Sequence, residues 1–141
     1  MERRTAIQPY ALAEGQGRTY EWHRILFTLK AASQETGGAL SLWEVTTRKG
    51  EQPHTHTHDD ADEIFYLLSG PMTFHCGNRS FKVKDHAFVF LPRGIPHIYT
   101  IHSKEVRLLG LSTPSEFADR IEQTGTLRKA QSSQRRAKDC Q

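Results

Sequence analysis

The sequence predicts an all-β fold, a barrel or sandwich, with one short helix near its C-terminal end. Three observations carry this reading. Short runs recur in which apolar and polar residues alternate, the period of a half-buried strand. Turn signals rich in glycine, proline and asparagine separate these runs. A single stretch, late in the chain, carries a helix start signal. A chain of 141 residues suits one domain with a real hydrophobic core. Closing a sheet into a barrel removes exposed edges and leaves a mouth that can hold a pocket.

Residues 1–14 read as an N-terminal arm, residues 15–125 as the barrel with its terminal helix, and residues 126–141 as a basic, disordered tail. Within the barrel, "TYEWHRILFTLKA" (19–31) alternates, and "ALSLWEVT" (39–46) does so after the turn signal Gly37-Gly38. "EIFYLLS" (63–69) is apolar on both faces, which suits a central or interface strand, and Gly70-Pro71 ends it. "PMTFHC" and "RSFKVK" flank Gly77-Asn78, a tight hairpin turn in which glycine accepts positive φ without steric cost. "HAFVFL" (86–91) leads into the rigid turn "PRGIPH", and "HIYTI" and "EVRLLGLS" complete the strands. The helix is predicted from Thr113 as N-cap, Pro114 in the first helical position and Glu116 three residues after the cap. Phe117 and Ile121 then share one face, and Gly125 closes it.

Composition narrows the class. Hydrophobic residues make up 36% and charged residues 25%, as in a soluble globular protein. No apolar run approaches the roughly 18 residues of a membrane span, and the first residues lack the apolar stretch of a signal peptide. The chain therefore reads as cytoplasmic, with Cys76 and Cys140 as free thiols. The net charge of +3 is uneven: residues 126–141 hold five basic residues against Asp139, a net of +4, which leaves −1 for the rest. The basic balance thus belongs to the tail, which reads as solvated. No DNA-binding helix-turn-helix precedes the barrel, so nucleic acid is disfavoured as a partner.

The chemistry lies in "EQPHTHTHDDADE" (51–63). Pro53 and the threonines favour extended backbone. Alternate residues of a strand share a face, so His54, His56 and His58 would point the same way. Two such imidazoles can grip one metal ion, Glu63 can add a carboxylate, and His97 in "LPRGIPH" can supply a distant ligand. The cysteines do not fit a closed structural zinc site. Three histidines and one glutamate leave positions open, as a catalytic metal requires. Asp59, Asp60 and Asp62 read as a solvated loop between ligands.

The spacing Gly50, five residues, His56, one residue, His58, four residues, Glu63, six residues, Gly70 resembles the first cupin motif in full. Pro92, Gly94 and His97 match the second in part; His86 stands where that motif usually has glycine, which leaves the local turn geometry open. "TLKAASQETGGALSLWE" and "TPSEF" extend the resemblance to small bacterial cupins grouped with quercetin 2,3-dioxygenase, over roughly residues 15–120. The resemblance implies a double-stranded β-helix (jelly-roll barrel) and a homodimer. It also implies one divalent transition metal ion (Fe, Ni, Mn, Co, Cu or Zn) held by His56, His58, Glu63 and His97. His54 stands where the subgroup often has proline, and could serve at the rim of the site. Trp43, His54, Phe65, Met72, Phe74, Phe90 and Tyr99 are candidates for a substrate pocket, by strand parity or by closeness to the ligands. The expected function is a metal-dependent dioxygenase acting on a small oxygenated substrate, with Glu63 as general base as well as ligand. A metal-dependent isomerase or lyase, or a ligand-binding module without catalysis, are the alternatives, because fold does not fix function.

Overall fold

The computed structural model describes residues 6–51 and 57–128. Among them, ten strands and two helices follow in chain order: β1 (Arg18–Trp22), β2 (Ile25–Ala31), α1 (Ser33–Thr36), β3 (Ser41–Arg48), β4 (Asp62–Ser69), β5 (Met72–Cys76), β6 (Arg79–Val83), β7 (Phe88–Leu91), β8 (His97–Ile101), β9 (Glu105–Thr113), α2 (Glu116–Thr124) and β10 (Thr126–Arg128). Seven strands form one antiparallel sheet in the order β10-β1-β2-β3-β9-β4-β7, and three form a second in the order β6-β5-β8.

Alternation along the strands builds the core. Trp43, Val45, Phe65, Leu67, Val106 and Leu108 of the larger sheet meet Met72, Phe74, Cys76 and Ile101 of the smaller one. Burying each large apolar side chain contributes roughly 1.5–3 kcal/mol. Trp43 pairs with Gly110 across β3 and β9, and its indole lies flat against that backbone. A Cβ at residue 110 would come within 2.2 Å of the ring, so only glycine admits the tryptophan here.

Three expectations from the sequence change. The run 19–31 is a hairpin rather than one strand, because His23 (φ +50°) and Arg24 (φ +65°) turn the chain in the left-handed region without the usual Asn-Gly signature. Thr113 does not cap α2; it ends β9, opposite Asp62, and strand pairing takes precedence over the capping box. The helix begins at Glu116 with Ser115 before it, and the Ser115 hydroxyl donates to Asp119 at 2.9 Å. Residues 126–128, assigned to the tail, instead form β10 against β1. The expected hairpin at Gly77-Asn78 is present between β5 and β6, with Gly77 at φ +57°.

Candidate metal centre

Three side chains converge inside one end of the barrel. Glu63, on the inward face of β4, has a side chain 3% exposed. Its Oε1 lies 3.2 Å from His58 Nε2, and its Oε2 lies 3.0 Å from His97 Nε2. The ligand atoms of the three residues all lie within 4.8 Å of one another, and all three residues are buried. The two imidazole rings stand 5.7 Å apart.

Local structure aims each group. His97 opens β8, and its Nδ1–H donates to the Ile95 carbonyl at 3.3 Å, which turns the ring so that Nε2 faces the centre. Gly94, at φ +79°, donates its N–H to the His58 carbonyl at 2.8 Å and so ties the turn before His97 to His58. Asp62 accepts from the Arg93 backbone N–H at 2.8 Å and pairs with its guanidinium at 3.2 Å. Asp62 is thus a clamp on the ligand turn, where the sequence suggested plain linker. The Arg93 guanidinium and backbone N–H hold the Asp62 carboxyl below its usual range.

Burial pushes Glu63 up, but the neighbouring His58 and His97 outweigh it and bring the carboxyl down to about 2. Glu63 in turn raises His58, against the effect of burial. A buried carboxylate between two imidazole nitrogens is a donor set that fits a divalent transition metal, with nitrogen ligands for affinity and a carboxylate for charge.

The residues proposed from sequence separate under this geometry. His58, Glu63 and His97 come together. His54 and His56 lie outside the described residues. Trp43 stacks on Phe117 of α2 with centroids 4.1 Å apart, and Phe117 meets the His58 ring edge-on at 6.3 Å. Phe65 stacks on Phe74 at 5.3 Å, and Phe74 meets Tyr99 at 5.9 Å. Met72 is fully buried opposite Ile101, four residues along β5 from the Cys76–His97 pair and so about 13 Å away, which makes it core. Phe90 is a correction: Val89 and Leu91 take the inward positions of β7, and Phe90 points out, 49% exposed. Phe117 was not nominated, although its face with Ile121 was legible. Cys76 was also missed; it pairs with His97 across β5 and β8, and burial raises its thiol. Two depressions of about 750 and about 330 Å³ lie elsewhere, one beside Trp22 and Arg120 and the other over Leu26 and Thr28.

The cupin domain model matches residues 43–112, a stretch that includes His58, Glu63 and His97 and runs into β9. The chain carries a cupin domain. This cupin is 26% identical over 110 residues to quercetin 2,3-dioxygenase of Bacillus subtilis, covering 78% of this chain but only 33% of that longer relative. It is 28% identical over 109 residues to an uncharacterised protein of Methanocaldococcus jannaschii, covering 77% of this chain and 81% of the relative. Among solved structures, an RmlC-like cupin from Shewanella frigidimarina superposes with a TM-score of 0.65 at 12% identity, covering 79% of this chain and 96% of that one. KdgF from Halomonas superposes at 0.57 with 17% identity, covering 64% and 80%. These likenesses are of fold: a double-stranded β-helix with a short C-terminal helix. Among the described residues, no helix is long and apolar enough to cross a membrane.

Proposed function

We propose that this cupin is a metal-dependent dioxygenase, quercetinase-like, acting on a small oxygenated organic substrate, with the metal held by His56, His58, Glu63 and His97. The observation that carries the reading is the buried Glu63 carboxylate lying within 3.2 Å of two imidazole nitrogens. The likeness to the Bacillus subtilis dioxygenase supports it. The reading includes a homodimer in the cytoplasm.

When bound, a transition metal supplies Lewis acidity towards substrate oxygen and, where redox-active, reactivity with dioxygen. The chain's own residues do the rest. Glu63 is ionised at neutral pH and can hold the proton of a substrate hydroxyl at a carboxylate oxygen. Trp43 and Phe117 form a packed aromatic wall beside His58 that keeps water from that side of the ring. Burial, with the charges of Glu63 and Glu51, pushes the Tyr99 phenol up to about 12 against a contact with Thr47. Tyr99 therefore stays a proton donor and can orient a substrate oxygen.

The test is elemental analysis of natively purified protein together with oxygen uptake. One transition metal per chain and dioxygen consumption with a flavonol or related enol are expected. Metal-loaded protein that consumes no dioxygen with any such compound refutes the dioxygenase. Turnover under anaerobic conditions with a redox-inert metal moves the reading to an isomerase or lyase.

A further inference from the structure

A shallow depression of about 750 Å³ lies between the β1–β2 turn and α2. Trp22, His23 and Arg24 line one side, and Arg120 and Thr124 line the other. It is separate from the metal centre, because Phe117 stands between Trp22 and His58, 5.9 Å from one ring and 6.3 Å from the other. Trp22 is half-buried, and its indole is fixed from within by the edges of Phe27 and Phe117, at 6.1 and 5.9 Å. The His23 imidazole lies 4.5 Å from the indole, tilted by 58°. Charge here is one-sided. Glu21, the one carboxylate in the lining, is taken by Arg128. Arg24 makes no ion pair among the described residues. Arg120 meets Glu116 through Nη2, at 2.8 Å, in an exposed pair of the kind that contributes little. The other N–H groups of its guanidinium are left for a second acceptor. The turn is also costly. His23 and Arg24 both hold left-handed φ, +50° and +65°. Asn-Gly would close this two-residue hairpin with less strain, and it would take the imidazole and the guanidinium out of the depression. Both side chains are exposed and neither belongs to the core, so packing does not account for the strain. Strain of this kind clusters at ligand sites.

We propose that this depression binds a small aromatic anion, an aryl carboxylate. Arg24 and Arg120 meet the carboxylate from the two sides, as planar forks that match its two oxygens. The ring of the ligand lies against the Trp22 indole and the His23 imidazole. A bare phosphate would fill a small part of the volume and leave the aromatic side without contact. Two guanidinium groups are too few for a nucleic-acid backbone, whose binding sums many phosphate contacts. The site goes beyond the metal-dependent activity proposed above and does not depend on it.

The test is isothermal titration of the full chain with 2-naphthoate, with its neutral amide and with inorganic phosphate. Naphthoate is expected to bind with a Kd on the order of 1 mM or below, and about 10-fold tighter than the amide or phosphate. Arg24→Gln and Arg120→Gln are each expected to weaken it about 5-fold or more. His23→Asn with Arg24→Gly relieves the turn, so it is expected to raise Tm and to abolish naphthoate binding. That variant decides if Arg120→Gln disturbs α2. Glu63→Gln is expected to bind naphthoate as wild type does, which separates the depression from the metal centre. No heat with naphthoate at about 10 mM overturns the proposal. Equal affinity for the amide or for phosphate, loss of binding in Glu63→Gln, or undiminished binding in the relieved turn overturns it as well.

Discussion

Gly110→Ala is the sharpest probe of how the barrel supports the His58, Glu63 and His97 cluster. The added Cβ meets Trp43 Cε2, Cζ2 and Nε1 at 2.2 to 2.4 Å, so the indole must retreat by about 1 Å to reach ordinary contact. It has nowhere to go. Trp43 is 1% exposed and stacked on Phe117, and Phe117 packs edge-on against Trp22 at 5.9 Å and Phe27 at 5.7 Å. Overpacking of this kind costs about 1–3 kcal/mol, and the rigid ring stack puts this site near 2–3. For a chain of this length that is a fall in Tm of about 8 °C. Because Phe117 also touches His58, metal affinity should fall along with stability. Thermal melts of the metal-free protein and competitive metal titration measure the two effects. Trp43→Phe in the Gly110→Ala background should restore part of the lost Tm, since the smaller ring makes room for the new methyl. A Gly110→Ala protein that melts with wild type, or a double variant whose losses simply add, refutes the reasoning.

Glu63→Gln should keep the barrel folded, as circular dichroism would report, yet abolish tight metal binding and any turnover; an unaltered metal content would show that Glu63 is not a ligand. Its pH dependence follows from the depressed carboxyl. The stabilisation from ionised Glu63 is fully present above its unfolded value of about 4.5 and is lost as pH falls towards about 2, so metal-free wild type should weaken over that window and Glu63→Gln should not. Acid titrations of both proteins that run in parallel would count against it. Asp62→Ala releases an exposed pair, so its cost in stability should be small. Metal affinity should nevertheless drop several-fold as the turn before His97 loosens, and isothermal titration would reveal a variant that binds as wild type. His86→Gly should stabilise by about 0.5 kcal/mol in urea melts, because His86 holds φ +67° and its contact with Tyr66 is a long 3.4 Å; a destabilised variant would give that contact the larger weight.

Much of the barrel was legible because one face of most strands is polar. Glu44, Thr46 and Arg48 of β3 and Glu105 and Arg107 of β9 point outwards, which marks the inward set at that end of both strands. β4 and β7 are apolar on both faces, so parity could not say which side is core. The pairing of Glu63 with Leu91 settles it by register, and it sends Phe90 outside. That His58, Glu63 and His97 would come together was readable from spacing. Phe117 was not, because its role depends on where α2 lands, and that follows from a buried contact. The Ser41 and Ser112 hydroxyls meet at 2.5 Å, Ser112 donates to the Pro114 carbonyl at 2.9 Å, and the Ala118 N–H reaches Ser41 at 3.4 Å. Nothing local to "TPSEF" announces that Ser41, 71 residues before Ser112, anchors this end of the sheet. The β1–β2 turn escaped for the opposite reason: His23 and Arg24 adopt a conformation that their residue types rarely signal.

The order of the larger sheet also sets a schedule for folding. β9 lies between β3 and β4, yet it is made after both, and it supplies every hydrogen bond between them. Until Glu105–Thr113 has emerged from the ribosome, β3 and β4 each present an open edge, and the seven-stranded sheet cannot close. Pairings this distant along the chain belong to the slow class of folding, milliseconds to seconds. Open edges over that interval are where neighbouring chains pair wrongly. The last third of the polypeptide is therefore the seam of the barrel, and a nascent chain halted before it exposes the two strands that a misfolded neighbour would find first.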